Sequence, residues 1–443
     1  SQSIERGGDG HVQTLEALPG SILDIGQNEN ADQVGIPVTE IPDITIPVIT
    51  GVSINYSQGL MVFNASEYMD STPNTRIDST KLRLRQLEND TRPEDIFLSD
   101  PKFVAAVDGY TITLQISEKH RYRGVQMSGT PGGDNKGVYI EILSGFATDI
   151  AQVPNNNQTL LVTEYDDIIG PTITSAVINY TDGTLRIFGS ETIDSDPYNN
   201  TEPALIRIVN QTGEDGVNLA GTTVIPSELP YVDLVLTELQ RVEAIATSNT
   251  PRGDGGANLI DMISGAIVDI ATAPSPNTYG INLTEHADIL IPSLVSVSLN
   301  FSTGVMKFAF SETIDFTPVT KFLLNSLFLS NKTTEELVSL TGVTNTDRFD
   351  VLDAKNITMT LTERQRVDTL RFAGVSGGDG DASFFVARSG SFRDIGVNFN
   401  KFTAMKVQET EDTIIPKVMH SVLNLSLGIL TIRPSETLEM NTI

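Results

Sequence analysis

The chain has neither cysteine nor tryptophan in 443 residues. The first absence excludes a disulfide scaffold and any thiolate metal centre. It leaves secretion open, because a sandwich of ordinary size buries its core without staples. Basic residues are scarce: 29 Lys and Arg stand against 57 Asp and Glu, a net charge of −28. Such a surface repels nucleic acid and attracts cations. No run of about 18 apolar residues exists, so no membrane span is expected. The chain does not open on a basic-then-apolar signal segment, which a secreted protein would carry upstream of Ser1. The four histidines, His11, His120, His286 and His420, share no metal-ligand spacing. No nucleophile elbow, Gly-rich phosphate loop or His-Glu-x-x-His occurs, so no enzyme and no catalytic residue is expected.

What the sequence does have is one stretch written four times. INYTDGTLRIFGSETID begins at Ile178, and its counterparts begin at Ile54, Leu299 and Leu423, spaced 124, 121 and 124 residues apart. A period of that size, with a turn in every copy, means a string of like domains. Each copy opens with period-2 alternation, which puts Ala176, Ile178 and Tyr180 on one face of a strand. A turn ending in Gly59, Gly183, Gly304 or Gly428 follows, as a short hairpin requires. The return strand alternates again, with Leu185 and Ile187 inward in the second copy.

The remaining features place five segments: a closing half-repeat at 1–43, complete units at 44–167, 168–288 and 289–412, and an opening hairpin at 413–443. The segment 1–43 is assigned to a unit's second half because Arg6–Gly10 aligns with Pro-Gly-Gly-Asp-Asn at 131–135, Arg-Gly-Asp-Gly-Gly at 252–256 and Ser-Gly-Gly-Asp-Gly at 376–380. Asp24 likewise matches Asp149, Asp269 and Asp394, 125, 120 and 125 residues apart. Pro47, Pro171, Pro292 and Pro416 open the units, and acidic joints close them near Asp43, Asp167, Asp288 and Asp412. Within a unit, about seven short strands and one helical turn after Thr237 or Thr362 are expected. Short strands, frequent turns and this period give an all-β chain of tandem immunoglobulin-like antiparallel sandwiches.

Two columns of the repeat are candidates for function. Asn55, Asn179, Asn300 and Asn424 share one position, and all four sit in Asn-x-Ser/Thr, the acceptor for N-linked glycan. Eight further acceptors occur at Asn64, Asn89, Asn157, Asn199, Asn210, Asn282, Asn331 and Asn356. Chance would give about five for this composition, so N-linked glycans are expected on the repeated column. The second candidate is carboxylate. Glu67, Glu191, Glu312 and Glu436 form one column, Asp24, Asp149, Asp269 and Asp394 another, and the joints add Glu164, Asp167, Glu285 and Asp288. Calcium takes about six to eight oxygen ligands, and acidic side chains at a joint supply them. That makes Glu67, Asp149, Glu191, Asp269, Glu312 and Asp394 the candidate ligands, with turn capping as the competing role for the same side chains. Arg252-Gly253-Asp254 spells an adhesion tripeptide but is one variant of the repeated turn.

The Ser-Glu-Thr-Ile-Asp at 190–194, the Leu-Thr-Glu-x-Gln-Arg at 236–241 and the Asp-Ile-Gly-x-Asn at 24–28 and 394–398 resemble tandem immunoglobulin-like repeats of microbial and algal surface proteins, among them flagellar-hair (mastigoneme) and sexually induced surface proteins. Ala151 and Val153, then Ala271 and Ala273, depart from the late motif, and no Cys-rich module is present. The resemblance implies an extracellular structural role and no chemistry. The expected function is therefore a glycosylated subunit of a head-to-tail filament or cell-surface fibre. The expected partner is the chain itself, with neither nucleic acid nor a membrane span. The competing function is an adhesin or receptor ectodomain binding through one unit, and an array serving as enzyme scaffold ranks behind both. A receptor would set one unit apart by inserted loops, and here the period is kept. The half-repeats at 1–43 and 413–443 fit either a window of a longer repetitive chain or strand donation between subunits.

Overall fold

The computed structural model describes residues 13–86, 95–104, 107–128, 137–213, 215–343 and 353–439. Asn89, His11 and the Gly-Gly-Asp turns at 6–10 and 131–135 lie outside these residues. The repeated stretch is a hairpin each time: Ile49–Asn55 with Leu60–Asp70, Ile173–Asn179 with Thr184–Asp194, Leu294–Asn300 with Val305–Ile314, and Val418–Asn424 with Ile429–Pro434. The closing pairs are equivalent in all four, Asn55 opposite Leu60, Asn179 opposite Thr184, Asn300 opposite Val305 and Asn424 opposite Ile429. Gly59, Gly183, Gly304 and Gly428 have φ of 64°, 72°, 69° and 67°, the left-handed conformation that the short turn demands.

The middle unit shows how the hairpin becomes a sandwich. Strand Thr184–Asp194 pairs on its far side with Glu228–Val235, which is edged by Thr223–Ile225. The facing sheet runs Val217–Asn218, Ile206–Val209, Leu259–Met262, Thr278–His286, all antiparallel. Strand Thr278–His286 belongs to both sheets. Its first part pairs with Leu259–Met262, and its second runs parallel beside Ile173–Asn179, from Leu283 opposite Ala176 to His286 opposite Asn179. Two facing antiparallel sheets of four strands, with the last strand shared and returning parallel to the first, are an immunoglobulin-like arrangement. The first unit has the same order. In the third, the last strand is broken at Val407 into Thr403–Lys406 and Gln408–Thr410, one in each sheet.

Alternation decides what lies between the sheets. Ala176, Ile178, Tyr180, Leu185, Ile187, Val232, Leu234, Ile206, Ile208, Ile260 and Met262 are all fully buried. Each large aliphatic among them contributes about 1.5–3 kcal/mol by leaving water. Three cores form, one per sandwich. The first also receives Ile270 and Ala271 from the second unit, and the second receives Ile395 from the third. In hairpin 418–434, Leu423, Leu425, Leu430 and Ile432 are exposed.

The segment expected as one helical turn is longer: α1 is Glu118–Met127, α2 is Glu238–Thr247 and α3 is Glu363–Leu370. The start is where the sequence places it. Thr237 Oγ1 accepts from Gln240 N, and Gln240 Oε1 accepts from Thr237 N at 2.8 Å, a reciprocal cap repeated by Thr362 and Gln365. The extension follows because no glycine or proline interrupts 238–247, and Ala244 and Ile245 are buried against the sheet. Among the described residues no helix is long and apolar enough to cross a membrane.

Candidate functional site: the joints between units

At the joints near Asp167, Asp288 and Asp412 an arginine from the helix of one unit meets the hairpin of the next. In α2, Glu238 and Arg241 are one turn apart, so the guanidinium lies back on the carboxylate, with Nε 3.0 Å and Nη2 2.9 Å from its two oxygens. Nη1 donates to Tyr180 O at 3.1 Å and to Asp288 Oδ2 at 2.6 Å. Nη2 also donates to Glu312 Oε2, in the following unit, at 3.2 Å. All five N–H donors of the guanidinium are thereby used. Glu238 crosses the joint as well, its Oε1 accepting from Thr313 N at 2.7 Å.

The other joints repeat this set. Arg121 of α1 holds Glu118, Tyr56 O, Asp167 and, across the joint, Glu191, while Thr192 N donates to Glu118 at 2.7 Å. Arg366 of α3 holds Glu363, Phe301 O, Asp412 and Glu436, and Thr437 N donates to Glu363 at 2.9 Å. The arginine side chains are 6–8% exposed. Sequence reasoning missed these arginines, although Glu-x-x-Arg stands at one repeat position in all three units.

The carboxylate columns converge on the same place. Asp43, Glu67 and Asp149 form one trio, Asp167, Glu191 and Asp269 a second, and Asp288, Glu312 and Asp394 a third, each offering oxygens within 4.8 Å of one another. All six candidate ligands lie in these trios, completed by the joint aspartates. Glu164 and Glu285 do not join them, because they accept from the hydroxyls of Tyr56 and Tyr180 at 2.6 Å. Asp24 sits in an equivalent turn, accepting from Asn28 N at 2.8 Å.

Turn capping and clustering coexist in these side chains. Oδ1 of Asp149, Asp269 and Asp394 accepts from Val153 N, Ala273 N and Asn398 N at 2.7–2.8 Å. Burial, opposed in part by Arg121, pushes Glu191 up to about 7. Burial also lifts Asp269 to about 7, and burial with the neighbouring Asp394 and Asp288 lifts Glu312 to about 8. Asp394 rises to about 6, Asp149 and Glu67 rise too, and burial is the main cause in each. This donor set is oxygen alone, which suits a hard divalent cation.

The turn that spells Arg-Gly-Asp is a joint element. Arg252 O accepts from Asp288 N at 2.9 Å, and Gly377 O accepts from Asp412 N at 2.7 Å in the next unit. Gly253, at φ 82°, lies against the Tyr180 ring, where a Cβ would meet Cδ2 at 2.6 Å.

The glycan-acceptor column stands at the hairpin corners. Asn55, Asn179 and Asn300 are half-buried and Asn424 is exposed. Each Oδ1 accepts a backbone N–H of its own turn, from Gln58, Thr181, Thr303 and Ser426 at 3.0–3.2 Å, so the column also shapes the turn. Asn64, Asn157, Asn199, Asn210, Asn282, Asn331 and Asn356 are exposed.

No family model matches the chain, and no curated protein matches it in sequence. Solved structures similar to it include the N-terminal part of the bacterial S-layer protein SbsC, at 9% identity and TM-score 0.20, covering 54% of this chain. The chain spans 44% of that structure. The chicken CNTN1 FN1–FN3 domains match at 7% identity and TM-score 0.19, over 82% of this chain and 98% of theirs. A Dscam structure matches at 10% identity and TM-score 0.15, over 82% and 78%. The fold assignment rests on the strand order described above.

Proposed function

We propose that this chain is a structural segment of an extracellular, N-glycosylated rod that works as a head-to-tail filament or cell-surface fibre. One observation carries the reading: the joint is repeated as faithfully as the sandwich. The same arginine, the same helix-start glutamate, the same joint aspartate and the same hairpin glutamate meet at three successive junctions. A receptor would be expected to set one unit apart, and here the joints are alike. A rod needs them, because each fixes the angle between neighbours and the errors of many joints add. Glycans on the hairpin corners would coat such a rod and block lateral pairing of strand edges.

Negative-stain imaging of native material tests this. Fibres with an axial repeat of one sandwich unit are expected. Isolated ectodomains on cells, with a ligand bound at one unit, would favour the adhesin or receptor reading instead. Glycopeptide mass spectrometry is expected to find sugar on Asn55, Asn179, Asn300 and Asn424, and bare asparagines there would remove the glycan coat from the account.

A further inference from the structure

We infer that the trios Asp43–Glu67–Asp149, Asp167–Glu191–Asp269 and Asp288–Glu312–Asp394 are divalent-cation sites of the calcium class, tying each joint aspartate to the sandwich that follows it. A cluster of acids alone would not carry this. The independent observation is that the clusters contain buried oxygens with nothing to bind. Asp149 Oδ2, Asp269 Oδ2 and Glu312 Oε1 lack any hydrogen-bond partner, on residues that are 2%, 1% and 2% exposed. Glu67 Oε1 is a fourth such atom, in the same trio as Asp149. Every trio therefore holds at least one orphan carboxylate oxygen. Buried polar atoms ordinarily have at least one partner, so an orphan in each trio, on the Asp in the first two and on the Glu in the first and third, marks a missing partner.

The arrangement says what the partner is. In the third trio Arg241 engages Oε2 of Glu312 and leaves Oε1 alone. In the second, Ala273 N fixes Oδ1 of Asp269 and leaves Oδ2 alone. One face of each carboxylate is held by protein and the other is presented. Around Arg241, four carboxylates, those of Glu238, Asp288, Glu312 and Asp394, oppose one guanidinium, so positive charge is still wanting. Three carboxylates with only oxygen to offer select a hard ion and disfavour zinc or copper. Calcium accepts such irregular, chain-supplied carboxylate sets, whereas magnesium keeps its waters and demands an octahedron. A cleft lined by Ser57, Glu118, Arg121, Ile169 and Ser190 reaches Glu191 of the second trio.

The inference deepens the rod reading, in that a bound ion would stiffen each joint, but its test stands apart. Full-length chain stripped with chelator is titrated with calcium chloride by calorimetry and equilibrium dialysis. Saturable binding of three ions is expected within the roughly 0.1–1 mM range of extracellular modules. Asp269→Asn keeps an oxygen for Ala273 N and removes the charge, and is expected to lose one ion. Glu312→Gln is expected to lose one at the next joint and decides the matter if the first variant does not fold. Absence of saturable binding up to about 10 mM, ten times the upper end of that range, would overturn the inference, as would unchanged stoichiometry in the folded variants. Equal displacement by magnesium would overturn the calcium assignment. Loss of the sites would leave fibres visible in native material, and absence of fibres would leave the ion count unchanged, so the two failures are distinguishable.

Discussion

A single arginine per unit does most to join one sandwich to the next. Arg241 is 6% exposed and pairs with Glu238, Asp288 and Glu312, so its removal leaves buried carboxylates without their cation. Arg241→Ala is expected to cost about 3–5 kcal/mol, read as an earlier denaturant transition of the units flanking that joint. Arg241→Lys restores charge but not the five-donor fork, and is expected to recover only part of the loss. Glu363 gives the joint a pH signature. Its hydrogen bond from Arg366, with further help from Thr437, holds its carboxyl down at about 2. A lowered carboxyl contributes stability above its unfolded value of about 4.5 and loses it as pH falls through 2. The α3 joint is therefore expected to loosen between about pH 4.5 and 2, and Glu363→Gln is expected to remove that acid limb in a titration followed by scattering or circular dichroism. The pairings within a helix follow from Glu-x-x-Arg, but those across the joint were not legible in the sequence. Arg241 and Glu312 are 71 residues apart, and repetition shows that a column matters without showing which column it meets.

At the scale of elements the sequence was far more open. The hairpins follow from alternation and a closing glycine, and the helix starts follow from Thr-Glu-x-Gln. What remained hidden was helix length, because nothing local stops α2 before Ser248 and the burial of Ala244 and Ile245 is a tertiary fact. The caps give a differential test. Thr237 and Thr362 make reciprocal caps, whereas Ser117 in α1 faces His120, makes no cap bond and shares its hydroxyl with Asp100. Thr237→Ala is expected to lower the stability of its unit by about 1 kcal/mol, and Ser117→Ala to cost distinctly less, as measured by thermal unfolding. The acidic columns fall between these cases. Their recurrence points to six ligand candidates, while the joint glutamates Glu164 and Glu285 accept from Tyr56 and Tyr180 instead.

For the molecule as a whole, the first two sandwiches share one strand order and the three joints near Asp167, Asp288 and Asp412 share one set of ionic contacts. Apolar contact contributes through Ile270 and Ala271 on the first core and Ile395 on the second, and the arginine sets register on top of it. With calcium bound, the joints are expected to stiffen further, so chelation should broaden the distribution of inter-unit angles seen in single-particle images. The most direct test of the joint as the functional element is small-angle X-ray scattering on the full chain. Wild type is compared with a variant carrying Arg121→Ala and Arg241→Ala, after circular dichroism confirms that the variant's sandwiches are folded. The expected result is one rigid, extended particle for wild type and a flexible ensemble with a shorter mean dimension for the variant. Superimposable profiles from the two proteins would contradict the account.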